Sequence, residues 1–495
     1  MRPRLEGWRS VRSRLARHAR VSSGPAASPP PGAVSANPPS APTATPLASD
    51  AVEAYPSSPL RGVRWTIPFV AFLGYTLAVT SYRFPIAEVS VLAGLLGVLL
   101  VRDKMRFPRV ILVLGGYLLW ASLGYTQTQF PELVGDKLLN LARVWLIILL
   151  AANAVRSRAQ VRFFLIFLLG CYALFPVRGT FANYFIYHET LFGRAKWNQV
   201  FANPNDLAAL TLLQLSLAVG LAITEPKGWT QWCAAHGVAV LPPLMLFTQS
   251  RGALIALAVF IVIGLVSQRR RLRRIVGARG IGRVRLGLAV AAVVVVIAAP
   301  KAVWERMSGL RYATSAETLA EVDPEQSARQ RFEIWKVATA IAIDHPVVGV
   351  GLGAYPLVHV QYARRDMFKP IGRGLRDAHS LYFTVAAETG IPGLTLFMVM
   401  IALSFAHADR IRRKCRRLLP RASLQLFFLE LGLGTFLIAA IWSSLGHLAF
   451  TFLHLIIMYV VAEAHAHELR RVQAGYSPAA APPAAPGRRA RRRLA

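Results

Sequence analysis

Acidic residues are scarce in this chain: 24 Asp and Glu stand against 57 Lys and Arg, giving a formal net charge of +33, and charged residues make up only 16% of the whole. Cysteine is scarcer still, with three in 495 residues (Cys171, Cys233, Cys415) and no Cys-x-x-Cys pair. That spacing argues against a disulfide framework or a zinc site as the organising principle. With 54% hydrophobic residues and a mean hydropathy of +0.43, the composition excludes a string of soluble domains. What the chain has in abundance is long apolar runs, with its basic residues gathered in short stretches between them. Such placement fits the positive-inside bias of membrane proteins and contact with anionic headgroups, and it argues against a nucleic-acid partner.

The reading is therefore an all-α, polytopic membrane protein. Residues 1–60 join an Arg-rich opening to a Pro/Ala/Ser stretch and read as a disordered tail. No apolar core of the secretory type appears before Trp65, so this tail is expected in the cytoplasm. Residues 474–495 form a second basic tail, ending in Arg488, Arg489, Arg491, Arg492 and Arg493. Between the tails, residues 65–465 form the membrane domain, with about 12 apolar stretches able to span a bilayer. These are 65–81, 84–101, 110–127, 138–154, 163–180, 205–223, 234–250, 252–267, 286–300, 380–403, 424–442 and 447–463. Alternate connections are rich in arginine, above all 268–285 with eight and no acid, which places both termini on the cytoplasmic side.

One external connection, residues 301–379, is too long to be a simple link. In its second half Phe332, Trp335, Ala338, Ile341 and Ala342 recur at helical spacing, which predicts an amphipathic helix at the outer interface. Asp344-His345-Pro346 stops that helix, and Gly349, Gly351 and Gly353 allow a tight path before Tyr355-Pro356.

On this topology three cationic or titratable side chains converge on the outer side: Arg251, Arg331 and His379. Each has a plainer alternative. Arg251 at a helix end can snorkel to headgroups, Arg331 can sit on a solvated face, and His379 can cap a helix, although imidazole is also the side chain best suited to proton transfer near neutral pH. Arg194 and Lys196 add two cations in an outer loop. Asn203-Pro204-Asn205 reads as a helix start, with Asn203 and Asn205 bordering the site as the alternative. Glu88, Asp206 and Glu430 lie in or at the edges of apolar runs, where ionisable groups invite a functional reading as much as a packing one. His447 and His454 share a helix face and read as packing, not as metal ligands.

The flanking residues carry a resemblance. His379-Ser380, nine residues, then Gly390-Ile391-Pro392-Gly393 resembles the signature of the O-antigen ligase and O-antigen polymerase superfamily. Asn203-Pro204-Asn205 and Ser250-Arg251-Gly252 look like two further elements of that family. Arg331 to Trp335, followed by His345-Pro346-Val347-Val348-Gly349-Val350-Gly351, is similar to a fourth. The chain departs from the ligase pattern after the last glycine, where Leu394-Thr395 stands in place of Thr-Val.

This resemblance implies glycosyl transfer at the periplasmic face of the bacterial inner membrane, from a polyprenyl-diphosphate-linked glycan to an acceptor hydroxyl, with no cofactor, nucleotide sugar or metal required. It implies that Arg251 and Arg331 bind the diphosphate, with Arg194 and Lys196 in support, and that His379 acts on the acceptor hydroxyl. The acceptor would be lipid A core saccharide for a ligase, the growing glycan for a polymerase, or a protein hydroxyl for an oligosaccharyltransferase. A reading of another class is a solute transporter, for which neither internal symmetry nor paired broken spans are evident.

Overall fold

The apolar runs fold as helices whose ends are written in the local sequence. A computed structural model describes residues 56, 58–100, 105–270, 301, 304, 327–443, 445 and 449–474. The ninth apolar stretch at 286–300, most of the basic run before it, His447 and nearly all of both tails lie outside the described residues.

In chain order the helices are α1 (Ile67–Ser81), α2 (Ala87–Leu100), α3 (Arg109–Leu123), α4 (Pro131–Ala154), α5 (Arg158–Tyr172) and α6 (Arg178–Phe185). A two-stranded ribbon follows, β1 (Thr190–Leu191) antiparallel to β2 (Arg194–Ala195). Then come α7 (Pro204–Thr224), α8 (Trp229–Phe247), α9 (Arg251–Ser267), α10 (Ser327–Asp344), α11 (Tyr355–Tyr362), α12 (Leu381–Cys415), α13 (Pro420–Ala439) and α14 (Ala449–Gln473). Proline stands at the first turn of α4, α7 and α13, where its missing N–H costs nothing. Ser157 opens α5 with a reciprocal capping box to Gln160. Between α5 and α6, Pro176 sits in a π-helical turn, Ala173–Val177, so the two continue as one helical stretch, Arg158–Phe185.

Among the described residues six helical stretches are long and apolar enough to cross a membrane: Arg109–Thr126, Arg158–Phe185, Pro204–Thr224, Leu381–Cys415, Pro420–Trp442 and Ala449–Gln473. Three shorter apolar helices, α1, α2 and α9, accompany them. The chain is thus an all-α membrane protein. α7 and α14 are each buried over 83% of the apolar window, against 33% for the Arg109–Thr126 stretch, and α7 packs on α13 and α8. α12 touches α3, α10, α13 and α14 and so joins the long external segment to the bundle.

Several elements differ from the expected spans: α4 starts at Pro131 where 138 was expected, α14 runs to Gln473 where 463 was expected, and two further differences bear on the site. The basic stretch after residue 403, expected as a loop, stays helical to Cys415, because Asp409 pairs with Arg412 and Arg413 while Arg412 also reaches Glu430 at 2.8 Å. The expected amphipathic helix exists as α10, but its fully buried stripe is Ile334, Val337, Ala338 and Ile341, with Phe332, Trp335 and Ala342 half-buried beside it. That stripe packs against α11 and α12, so protein covers its apolar face.

Candidate active site

The segment around His379 is assembled by backbone-to-backbone contact, which explains its glycines. After α10, His345 and Pro346 lead to Gly349, Gly351 and Gly353, all at positive φ. Val350 and Gly351 donate their N–H groups to the carbonyls of Ala387 and Glu388 on α12, at 3.0 and 3.1 Å. In return Ile391 donates to the carbonyl of Pro346 at 2.8 Å. α12 opens at that point because Gly390 leaves the helical region (φ 67°, ψ −177°). A Cβ on Gly390 would strike the Val347 carbonyl oxygen, and one on Gly349 would strike the Glu388 carbonyl. The spaced glycines of the two motifs are therefore the two halves of one close approach. Glu388, buried in the same joint, accepts the backbone N–H groups of Gly353 and Tyr355 and feels the charge of Lys137.

Trp335 has a related task. Its indole Nε1 donates to the carbonyl of Ala378 at 2.9 Å, and its ring stacks on Phe383 with centroids 5.3 Å apart. Tyr355 adds a hydroxyl bond to the carbonyl of Ile334 at 3.3 Å. Between these anchors the chain turns into α12 through His379, whose φ of 47° lies in the left-handed region, sparsely used by residues other than glycine. Ser380 follows as the N-cap residue, buried, with its hydroxyl unpartnered.

His379 is half-buried and lies within electrostatic reach of Arg331, Asp377 and Arg376. Desolvation and then the Arg331 charge push its pKa below the usual imidazole value, with Asp377 opposing. Asp206, in the first turn of α7, bonds the Ser443 hydroxyl and interacts with both Asp377 and Arg331. Its neighbour Asn205 accepts from the Arg194 guanidinium at 2.7 Å, and Arg194 also donates to the carbonyl of Thr248 at 2.9 Å. Gln249, buried and at φ 54°, donates back to the carbonyl of Gly193 at 3.1 Å. The β1–β2 ribbon is thereby pinned onto the turn that starts α9 at Arg251, and Gly252 lies against the Trp442 ring, next to Ser443.

The structure thus joins Arg194 to Asn205 at the start of α7, where Asp206 follows, and puts Arg331 and Asp377 within electrostatic reach of both Asp206 and His379, with Arg251 on the adjoining helix start. Asn203 accepts the N–H of Asn205 at 2.9 Å and caps α7. Lys196 sits half-buried just past β2 and enters none of these contacts. Of the three acids in or beside apolar runs, Asp206 belongs to the cluster, Glu430 pairs with Arg412, and Glu88 is exposed. The signal that marks Asp206 is its charge at a membrane-helix start; Ser443 carries no such signal. His454 is buried, with Nε2 3.3 Å from the carbonyl of Leu429. Among the described residues no three His, Cys, Asp or Glu come together as a metal-holding group.

No curated protein matches the chain. A family model described as O-antigen ligase matches residues 237–398. That interval holds Arg251, α10 with Arg331 and Trp335, the glycine joint and His379, while Arg194, Lys196 and the Asn-Pro-Asn cap lie upstream of it. Over this interval, on a frame of apolar helices, the chain is similar to the O-antigen ligase family.

Proposed function

We propose that this protein transfers a glycan from a polyprenyl diphosphate to an acceptor hydroxyl, lipid A core saccharide being favoured, at the periplasmic face of the bacterial inner membrane. In this reading residues 65–465 are the membrane domain, 301–379 its large periplasmic segment, and both tails, 1–60 and 474–495, are cytoplasmic. The observation that carries it is that His379 and Arg331, both inside the segment matched to the O-antigen ligase model, lie within electrostatic reach of each other, with Asp206, upstream of that segment, also within reach of Arg331.

The chemistry follows from charge. In a direct displacement the acceptor oxygen forms the new bond to the anomeric carbon, the glycosyl–phosphate C–O bond breaks, and its electron pair leaves on the diphosphate. Arg331 and Arg251, the latter at the first turn of a 17-residue helix whose N-terminus favours anions, stabilise that charge, with Arg194 and Lys196 in support. His379, neutral at neutral pH because its pKa is lowered, takes the hydroxyl proton. Asn205 orients Arg194. A long apolar cleft of about 850 Å³ between α5 and α8, with Arg178 at one end, suits a polyprenyl chain beside the headgroup site. The polymerase reading stays as the alternative because Leu394-Thr395 departs from the ligase pattern.

The test is reconstitution of purified protein with polyprenyl-diphosphate glycan, with and without lipid A core. Product only with lipid A core, reduced about 10²- to 10⁴-fold by His379→Ala and by Arg331→Ala or Arg251→Ala on the order of 10²-fold, is the expected result. Lengthened glycan without the acceptor makes the protein a polymerase. Absence of any transfer brings the transporter reading forward.

A further inference from the structure

α7 runs about 30 Å from the His379 cluster to the opposite end of the bundle, where Glu225 follows its last turn. At that opposite end a cavity of about 730 Å³ opens between the segment leading into α1, the turn from α4 to α5 and the last turns of α14. Among the described residues its charged lining is Arg61, Arg64, Arg156, Arg158, Arg162 and Arg471, with His467, against a single carboxylate, Glu468. Arg162 is engaged by Glu225 at 2.7 Å, and Arg158 faces Glu468 at 3.7 Å. Arg61, Arg64 and Arg471 are exposed, and no acidic side chain among the described residues pairs with them. Like charges gathered round one concavity repel one another until an anion enters.

The surroundings identify the anion. Trp65 is 52% exposed and stands edge-on to Phe163, and Trp229 and Trp232 at the start of α8 are 58% and 77% exposed at the same end. Exposed indoles on apolar helices mark the headgroup level of a bilayer. The helices that contribute Pro68 and Val98 to the cavity wall also present Ile67, Leu99 and Leu100 outward, at 61%, 71% and 76% exposure. Cations and an apolar flank thus meet where a phosphate and its acyl chains meet. We propose that this cavity binds the phosphate of an anionic phospholipid, whose acyl chains lie along α1 and α2. The ligand is structural or regulatory and separate from the glycan donor, because the cavity lies a helix length away from His379.

The experiment uses the full-length protein, delipidated in an uncharged detergent and supplied with phosphatidylglycerol, phosphatidylcholine, inorganic phosphate or pyrophosphate. Retained lipid is read by native mass spectrometry and stability by thermal unfolding. Phosphatidylglycerol should bind at least tenfold more tightly than phosphatidylcholine and raise Tm. A triple variant, Arg61→Gln with Arg64→Gln and Arg471→Gln, should lose on the order of a hundredfold in that affinity, at about fivefold per cation. Glu468→Gln removes the opposing carboxylate and should tighten binding about fivefold, which tests the site even if the triple variant does not fold. Equal binding of the two lipids, or full affinity in the triple variant, overturns the proposal. Saturation by phosphate or pyrophosphate at the affinity of phosphatidylglycerol assigns the cavity to a soluble anion and overturns the lipid assignment.

Discussion

His379 is held in a left-handed backbone conformation between a tryptophan anchor and a helix start, so its ring position is fixed by neighbours more than by its own preferences. Its lowered pKa gives a signed expectation. Transfer should rise as pH climbs through that lowered value and stay level at neutral pH, where the ring is already a free base. Arg331→Gln removes a charge that lowers the pKa, so the residual activity should have its acid limb shifted to higher pH; Asp377→Asn should shift it lower. Rate–pH profiles of the two variants in proteoliposomes check the pair, and shifts of the same sign would refute the assignment. Trp335→Phe keeps the stack on Phe383 but loses the bond to Ala378, so it should cost about 1 kcal/mol and lower kcat, with donor KM little changed. At this scale the sequence shows His379, Arg251 and Arg331 because motif spacing marks them. Asp206 is visible only as a charge beside an apolar run, and Ser443 is not visible at all, since its place in the cluster depends on how distant helices pack.

Among the elements, the joint between the glycine segment and α12 is the most exacting. Gly390→Ala and Gly349→Ala each put a methyl group against a backbone carbonyl at a positive φ. Each should cost more than about 3 kcal/mol through overpacking and backbone strain. Gly434→Ala, whose added Cβ comes no nearer than 4.0 Å to Phe405, should be tolerated. Size-exclusion profiles and thermal unfolding of the three variants distinguish these outcomes. The buried pair Arg162–Glu225, with side chains 2% and 0% exposed, gives a second test. Arg162→Met alone leaves a buried carboxylate without its guanidinium and should cost about 3–5 kcal/mol, whereas adding Glu225→Leu should recover most of it. Sequence periodicity locates most helices and their starts because proline and capping residues act locally. It misplaces the buried stripe of α10 because that depends on which neighbours cover the helix, and it ends α12 too early because ion pairs keep a charged stretch helical.

Taken whole, the bundle has two polar ends joined by a buried apolar helix, α7: one end gathers Arg331, Asp206 and His379, the other a ring of arginines. The membrane class and the all-α fold are legible from composition, and the topology brings Arg251, Arg331 and His379 to one side, whereas the approach of Asp206 and Ser443 to Arg331 is not legible. If donor lipid occupies the cleft between α5 and α8, Gly170→Leu, at a cleft-lining position where an added Cβ meets no atom within 4 Å, should raise donor KM about tenfold and leave the acceptor KM unchanged in steady-state assays. The glycine joint carries a further consequence for how such proteins diversify. Residues 346–393 hold both halves of a backbone contact, so they can be exchanged between relatives only as one block. A chimera cut between Gly353 and His379 pairs a foreign loop with a resident helix and inherits a collision unless both partners carry matching glycines. Crossover points placed before His345 and after Gly393 keep the joint intact, and specificity can then be transplanted with it.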